Sequence, residues 1–315
     1  MLLHILVMKK EEFNHQQFNS ISEAHRLMGL QQPRHPLISL INGKHLPICS
    51  QALSNSHVLS FYKISFKPPV SGKFRYGQDY YDFNGGGLMF AAPHQVIGGH
   101  TATTEPVGDC YFTLLIHPDF FLGHPLARAI KQYGFFSYTA NEALHLSDEE
   151  QTTIFSLFDM IDKELQGRID DFTLEIVIAQ VELLLNFANR FYKRQFITRK
   201  AAHSTLLEKT EILLETYFGS DTALSRGVPT VAYLAGQLNL SPSYLSDMLR
   251  AHTGQNAQQH IHARLIDKAK QILSTTNLSV SEVAYSLGFE YAQSFSKLFK
   301  SKTSLSPLEF RQQFN

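Results

Sequence analysis

A chain of 315 residues exceeds one typical domain, and 43% apolar with 12% aromatic residues is ample for packed cores, which excludes global disorder. The formal net charge is zero, so the whole chain offers no electrostatic case for a polyanionic partner. Only two cysteines occur, Cys49 and Cys110, which excludes a disulfide framework or thiolate zinc site and fits a reducing cytoplasm.

The opening MLLHILVMKK places its lysines after a short apolar run, the reverse of a secretory signal, and Met8 is an alternative start to Met1. No apolar stretch approaches the ~20 residues that span a bilayer, so a soluble cytoplasmic protein with no membrane partner is expected. Residues 1–35 read as a lead-in with one short helix at Ser22–Leu30. From 36 to 121 the texture is β: Val58–Lys67, Lys73–Phe83, Leu88–Ala92 and Tyr111–His117 are β-branched or aromatic runs separated by Gly and Pro clusters. Short strands at this spacing predict an antiparallel barrel or sandwich.

The period then changes. Ser147-Asp148-Glu149-Glu150 opens a helix to about Gln166, with Ile154, Leu157, Phe158, Ile161 and Leu165 at helical spacing. A second helix, about Phe172–Arg194, carries Leu174, Val177, Ile178, Val181, Leu184, Leu185, Ala188 and Phe191 on one face. This helical pair, 147–195, either packs on its own β domain or forms the seam of a homodimer. Lys193–Ser204 is basic and polar and reads as an interdomain linker. A helix follows at Leu206–Phe218, and then a loop containing Gly219, Gly227 and Pro229.

The densest signals lie beyond Pro229. Val231 to Ala235 begins a short helix ending near Asn239, where left-handed backbone is needed and asparagine is tolerated. Ser241-Pro242 starts the next helix, with serine as cap and proline at the first helical position. Ala235 is small, as closely crossing helices require, while Leu234, Leu238, Leu240, Leu245 and Leu249 form the inward set. This is a helix-turn-helix pattern, at about 230–252. It recurs 49 residues later, at about 279–302. Ser279 and Glu282 form a capping box, Gly288 supplies the left-handed turn, and Phe295, Leu298 and Phe299 repeat the inward set. Between them a capped helix runs from Asn256 to Ser274, roughly 27 Å long. That spacer suits two reading helices set about one DNA turn apart, ~34 Å. From Val228 onward eight basic residues face five acidic ones, a mild bias compatible with DNA.

SPSYLSDMLRAHTG (241–254), LIDKAKQILSTTNLSVSEVAYSLGFEYAQSFSKLFKSKT (265–303) and SPLEFR (306–311) resemble the AraC family of bacterial transcription regulators. Ser304 departs from the family's usual glycine. The resemblance implies a DNA-binding domain over 205–315, with Ser243, Ser246, Asp247 and Arg250 on the first reading helix. Ala292, Gln293, Ser296, Lys297 and Lys300 lie on the second. Gln293 suits adenine and Lys297 guanine, whereas Arg250 and Lys300 suit phosphates.

The resemblance further implies an N-terminal domain, 1–197, built as a cupin-like β-barrel or jelly roll with helices for dimerisation. The whole is an α+β multidomain chain ending in an all-α domain with two helix-turn-helix units. Double-stranded DNA, a small effector, RNA polymerase and a second copy are the expected partners. Arg75, Tyr80, Tyr81 and His94 are the candidate effector contacts, against the plainer reading of barrel-wall aromatics. His94, after Pro93, also reads as the start of a strand. A cupin metal site usually pairs two histidines one residue apart before a glutamate, whereas this chain offers His94, His100 and Glu105, so no metal or other cofactor is expected. His117 and Asp119 lack a nucleophile motif, and no catalytic residues are assigned. Three alternatives stay open: a constitutive regulator whose N-terminal half only dimerises, a cupin-type metalloenzyme fused to a DNA-binding domain, and an alkyl-acceptor repair protein. The last needs a reactive cysteine, and neither Cys49 nor Cys110 lies in a basic or zinc-ligand setting.

Overall fold

The computed structural model describes residues 16–43, 57–67, 73–76, 79–82, 87–97, 112–139, 142–167, 172–198 and 200–313. Cys49, Cys110, His100 and Glu105 lie outside them. The chain divides into two compact units, Met1–Phe136 with His145–Phe187, and Ser137–Leu144 with Ala188–Asn315.

The first unit opens with β1 (Gln16–Phe18) and α1 (Ile21–Leu27), the latter capped by the Ser20 hydroxyl accepting from the Glu23 N–H. Strands β2 (Ile38–Asn42), β3 (His57–Leu59), β4 (Tyr62–Lys67), β5 (Lys73–Tyr76), β6 (Asp79–Asp82), β7 (Gly87–Ala91), β8 (Val96–Ile97) and β9 (Phe112–Ile116) follow. In the larger sheet β7, β4, β9 and β2 run side by side and antiparallel, with Ile64 opposite both Phe90 and Leu114. A smaller sheet has the order β1-β3-β8, with β1 parallel to β3, and β5 and β6 form a hairpin.

Val58–Lys67 was expected to be one strand. It breaks at Ser60-Phe61, and its halves join different sheets. The reason is Phe61, which is fully buried with Phe18, Ile41, Leu59 and Leu115 in a core under α1. Inside that core His25 is buried, its ring bonded at 2.9 Å to the Ser39 hydroxyl and at 2.6 Å to the Gln31 carbonyl, so a polar side chain is carried in at little cost.

After β9 come α2 (Leu126–Ala129), α3 (Asp148–Gln166) and α4 (Thr173–Thr198). All five residues of β9 are buried because its two faces serve different cores. On the Phe112 face α3 delivers Phe155 and Phe158, with Phe158 stacked on Phe112 at 5.0 Å and Phe155 edge-on to Phe66 at 4.7 Å. The α3 stripe packs on this sheet, and the α4 stripe is likewise buried. Leu174 is the exception: it was expected in the α4 stripe and is 44% exposed.

The second unit contains the end of α4, then α5 (Lys200–Gly219), α6 (Thr222–Arg226), α7 (Val231–Gln237), α8 (Pro242–Thr253), α9 (Ala257–Thr275), α10 (Val280–Ser286), α11 (Ala292–Thr303) and α12 (Pro307–Gln312). The stretch expected to be a linker is largely helical, since α4 runs to Thr198 and α5 starts at Lys200, with Gln195 and Phe196 buried. The expected loop before Pro229 holds α6, whose Ala223 is buried. The core of the unit is Leu234, Leu245, Leu249, Ile261, Leu265, Leu273, Val283, Phe295 and Phe299. Each fully buried phenylalanine stabilises the fold by roughly 1.5–3 kcal/mol relative to exposure. Leu238 and Leu240 of the expected inward set are only half-buried.

Candidate nucleic-acid interface

Two helix pairs, α7–α8 and α10–α11, are built by the same local rules. Thr230 caps α7 by accepting from the Tyr233 N–H, and Ser241 caps α8 by accepting from the Tyr244 N–H, with Pro242 at the first helical position. Asn239 takes φ 55 between them, and the Leu240 N–H closes the turn on the Ala235 carbonyl at 2.9 Å. In the second pair the Phe289 N–H closes on the Ala284 carbonyl at 3.0 Å, with Gly288 at φ 89. Ala235 and Ala284 are both fully buried, as two helices crossing at a short turn require.

Gly288 has a second reason to be glycine, beyond its left-handed backbone. A Cβ there would lie 2.5 Å from the Gly227 carbonyl carbon and 2.7 Å from the Ala223 carbonyl oxygen. The carboxylate of Glu282 completes a capping box on Ser279, and hydrogen bonds from the Ser279 hydroxyl and N–H hold its pKa below the ordinary glutamate value. Between the pairs, α9 has its own capping box, Asn256 with Gln259, and 19 residues give it a length of about 28 Å. Arg264 of α9 pairs with Glu215 of α5 at 3.1 Å, and Arg311 of α12 donates to the Leu273 carbonyl at 3.3 Å, tying the spacer to its neighbours.

On α11 the side chains of Gln293, Lys297 and Lys300 are exposed, and Ala292 is half-buried. Ser296, also half-buried, turns its hydroxyl inward and donates to the Ala292 carbonyl at 3.0 Å. Ser304 ends this helix in left-handed backbone, φ 64, a conformation that Gly254 adopts at the end of α8. Arg250 of α8 is exposed, while Ser243 and Ser246 are half-buried. Asp247 is already engaged. One oxygen accepts from the Tyr138 hydroxyl at 2.8 Å and the other from the Arg250 guanidinium at 3.0 Å.

The engagement of α8 extends to its cap. Both oxygens of buried Glu142 are used: one accepts from the Ser241 N–H at 2.7 Å, the other from the Ser241 hydroxyl at 2.6 Å and the Thr139 N–H at 2.7 Å. Burial raises the Glu142 pKa, and the bonds from Ser241 and Thr139 oppose that rise. The Tyr138 phenol is pushed well above its ordinary value, first by burial and then by the Asp247 charge. Sequence reasoning missed both Tyr138 and Glu142, because nothing local links them to a helix about a hundred residues further on.

The candidate effector residues fall on the β5–β6 hairpin and in the turn before β8. Arg75 and Tyr80 are register partners across the β5–β6 hairpin, and Tyr81 pairs with Phe74. His94 does not start a strand. It sits exposed in the turn before β8, at φ 66, with its N–H donating to the Leu59 carbonyl at 2.7 Å. His117 caps the turn Pro118–Phe121 by accepting from the Asp119 N–H, a structural role. Among the described residues no group of three His, Cys, Asp or Glu side chains gathers to hold a metal, and no helix is long and apolar enough to cross a membrane.

Residues 234–313 match the model of a family described as a helix-turn-helix domain. The raffinose operon transcriptional regulatory protein RafR of Pediococcus pentosaceus is 37% identical over 82 residues, covering 26% of this chain and 30% of that one. The arabinose operon regulatory protein of Escherichia coli K12 is 37% identical over 81 residues, 26% of this chain and 28% of that one. The C-terminal domain of the response regulator yesN from Fusobacterium nucleatum is similar to this chain at 28% identity and a TM-score of 0.30, covering 34% of this chain and 98% of that one. The chain thus spans less than a third of the length of these curated relatives.

Proposed function

We propose, from the premise that residues 234–313 form a helix-turn-helix domain of the AraC family, that this chain is a sequence-specific DNA-binding transcription regulator. One observation carries the proposal: two capped helix pairs, closed by equivalent turn bonds and joined by α9, end in a helix whose Gln293 and Lys297 project free of their own core. That is the geometry of a groove reader on a fixed spacer. Gln293 and Lys297 read bases, Ser243, Ser246, Asp247, Ala292 and Ser296 give smaller contacts, and Arg250 and Lys300 hold phosphates.

In this reading, 205–315 binds DNA and 1–197 senses a small effector in a cupin-like barrel, with Arg75, Tyr80, Tyr81 and His94 as its contacts. The chain works in the cytoplasm, takes RNA polymerase as a further partner, and catalyses nothing. A homodimer is supported by Ile176 and Leu183 of α4 and by Phe172 just before it, all three exposed. Sedimentation of the full chain tests that part, and a monomer at micromolar concentration would remove it. Thermal-shift screening tests the effector, since a ligand that binds only the folded state raises the melting temperature.

The DNA-binding proposal is tested by recovering duplexes from a random pool with the full chain, then measuring retention in excess nonspecific competitor. A specific regulator retains a defined duplex typically 10³–10⁷ times more tightly than unrelated DNA. Equal retention of every duplex would refute it.

A further inference from the structure

We infer that Tyr138 and Glu142 form an internal latch that occupies the first reading helix, α8, in competition with DNA. The inference rests on the DNA-binding reading above and concerns the regulation of the same surface.

Ser137–Leu144 precedes α3 and all later helices, yet it belongs to the same compact unit as α8. The attachment uses the groups that duplex binding would need. A helix N-terminus bears unsatisfied N–H groups and partial positive charge, and a DNA phosphate is its natural anionic partner. At α8 that place is taken by the Glu142 carboxylate, which accepts from both the N–H and the hydroxyl of the cap residue Ser241. At 3% exposure, Glu142 is shielded from water. Between one and two turns into the helix, the Tyr138 hydroxyl donates to Asp247, on the face assigned to base contact.

Packing reinforces these bonds. Tyr244 of α8 is buried edge-on between the rings of Tyr138 and Phe196, each at 5.2 Å. The end of α4 holds the segment in place: the Tyr192 hydroxyl donates to the Glu142 carbonyl at 3.1 Å and the Gln195 amide to the Ala143 carbonyl at 3.3 Å. On α11, by contrast, no side-chain bond caps the N-terminus at Tyr291, which is exposed, as are Gln293 and Lys297. The two helix pairs share one architecture, and α8 is the one whose cap and reading face are tied to a distant segment. With the latch closed, DNA meets α11 alone. With it open, Ser241 and Asp247 are released and both helices engage.

The test uses the full chain and a duplex recovered by it from a random pool, with Tyr138→Phe and Glu142→Gln as variants. Tyr138→Phe keeps the packed ring and loses one hydrogen bond, so it remains informative if Glu142→Gln folds poorly. Melting temperatures are followed in parallel. Latch opening predicts about three- to tenfold tighter binding for Tyr138→Phe, the span of one net hydrogen bond. Protection should lengthen from one major groove to two. It also predicts a steeper salt dependence, by ~0.9 in the log–log slope for each phosphate gained, which a merely structural contact would not produce. Unchanged or weaker binding in both variants, with the wild-type footprint and slope, would overturn the latch and leave DNA binding intact. Recovery of no duplex by wild type or either variant would overturn the DNA-binding reading and the latch with it.

Discussion

Gly288→Ala places a methyl group where the structure has backbone. The new carbon would lie 2.5 Å from the Gly227 carbonyl carbon, 2.8 Å from its oxygen and 2.7 Å from the Ala223 carbonyl oxygen. None of these atoms belongs to a side chain that can swing aside. The left-handed φ of 89° adds about 1–2 kcal/mol for any residue with a Cβ. Overpacking against fixed atoms adds about 1–3 kcal/mol, so a loss of roughly 2–5 kcal/mol is expected. Gly254→Ala is the control, because Gly254 has φ 77 with nothing within 4 Å of its would-be Cβ, and it should lose only the conformational part, about 1–2 kcal/mol. Scanning calorimetry of both full-length variants separates the effects. At roughly 4 °C per kcal/mol, Gly288→Ala should lower the transition of the helical unit by about 8–20 °C, against about 4–8 °C for Gly254→Ala. Equal shifts would refute the close approach of the second turn to the Gly227 loop.

Ser304→Gly should stabilise the chain by about 0.5–1 kcal/mol, read by denaturant unfolding, because φ 64 strains serine but not glycine. A destabilised variant would mean that the serine side chain earns its place. Alanine at Gln293 or Lys297 should weaken binding to a selected duplex by ~1–3 kcal/mol and relax preference at one base pair. Lys300→Ala should instead weaken binding to all sequences and flatten the salt slope by about 1, and a change in sequence preference would contradict its phosphate role. His260 and His262 on α9 are held below the ordinary imidazole value of 6.5 chiefly by burial, so the unfolded chain binds protons first as pH falls. Stability should therefore be full above that value and decline as pH drops through it, less so in a His260→Gln, His262→Gln variant. A flat melting curve across this window would count against the burial.

What the sequence disclosed was whatever is decided within a few residues. Asn239 and Gly288 at the turns, and the capping pairs Asn256 with Gln259 and Ser279 with Glu282, sit as their chemistry dictates. Each choice is a local contest between a backbone group and a side chain three or four positions away. Where a long-range contact decided, the reading faltered. Ser60-Phe61 looks like the middle of a strand, and only the core that claims Phe61 bends the chain there. Lys193–Ser204 looks like a polar linker, although Gln195 and Phe196 are anchored by Ala143 and Tyr244. Glu142 lies between the predicted elements, so the sequence offered no reading of it. Its partner, Ser241, is 99 residues away, and no periodicity spans that gap.

The helical unit is assembled from two stretches of chain, and this bears on how it can be excised. A fragment starting near Thr205 would keep every capped helix from α7 onward but discard Tyr138, Glu142 and Phe196. Tyr244 would then lose the rings of Tyr138 and Phe196, and Ser241 would lose its carboxylate partner. Such a piece differs from the parent, because it exposes apolar surface that the full chain buries. Under the latch proposed above, binding constants measured on it would describe the open state only, because Tyr138 and Glu142 would be left behind.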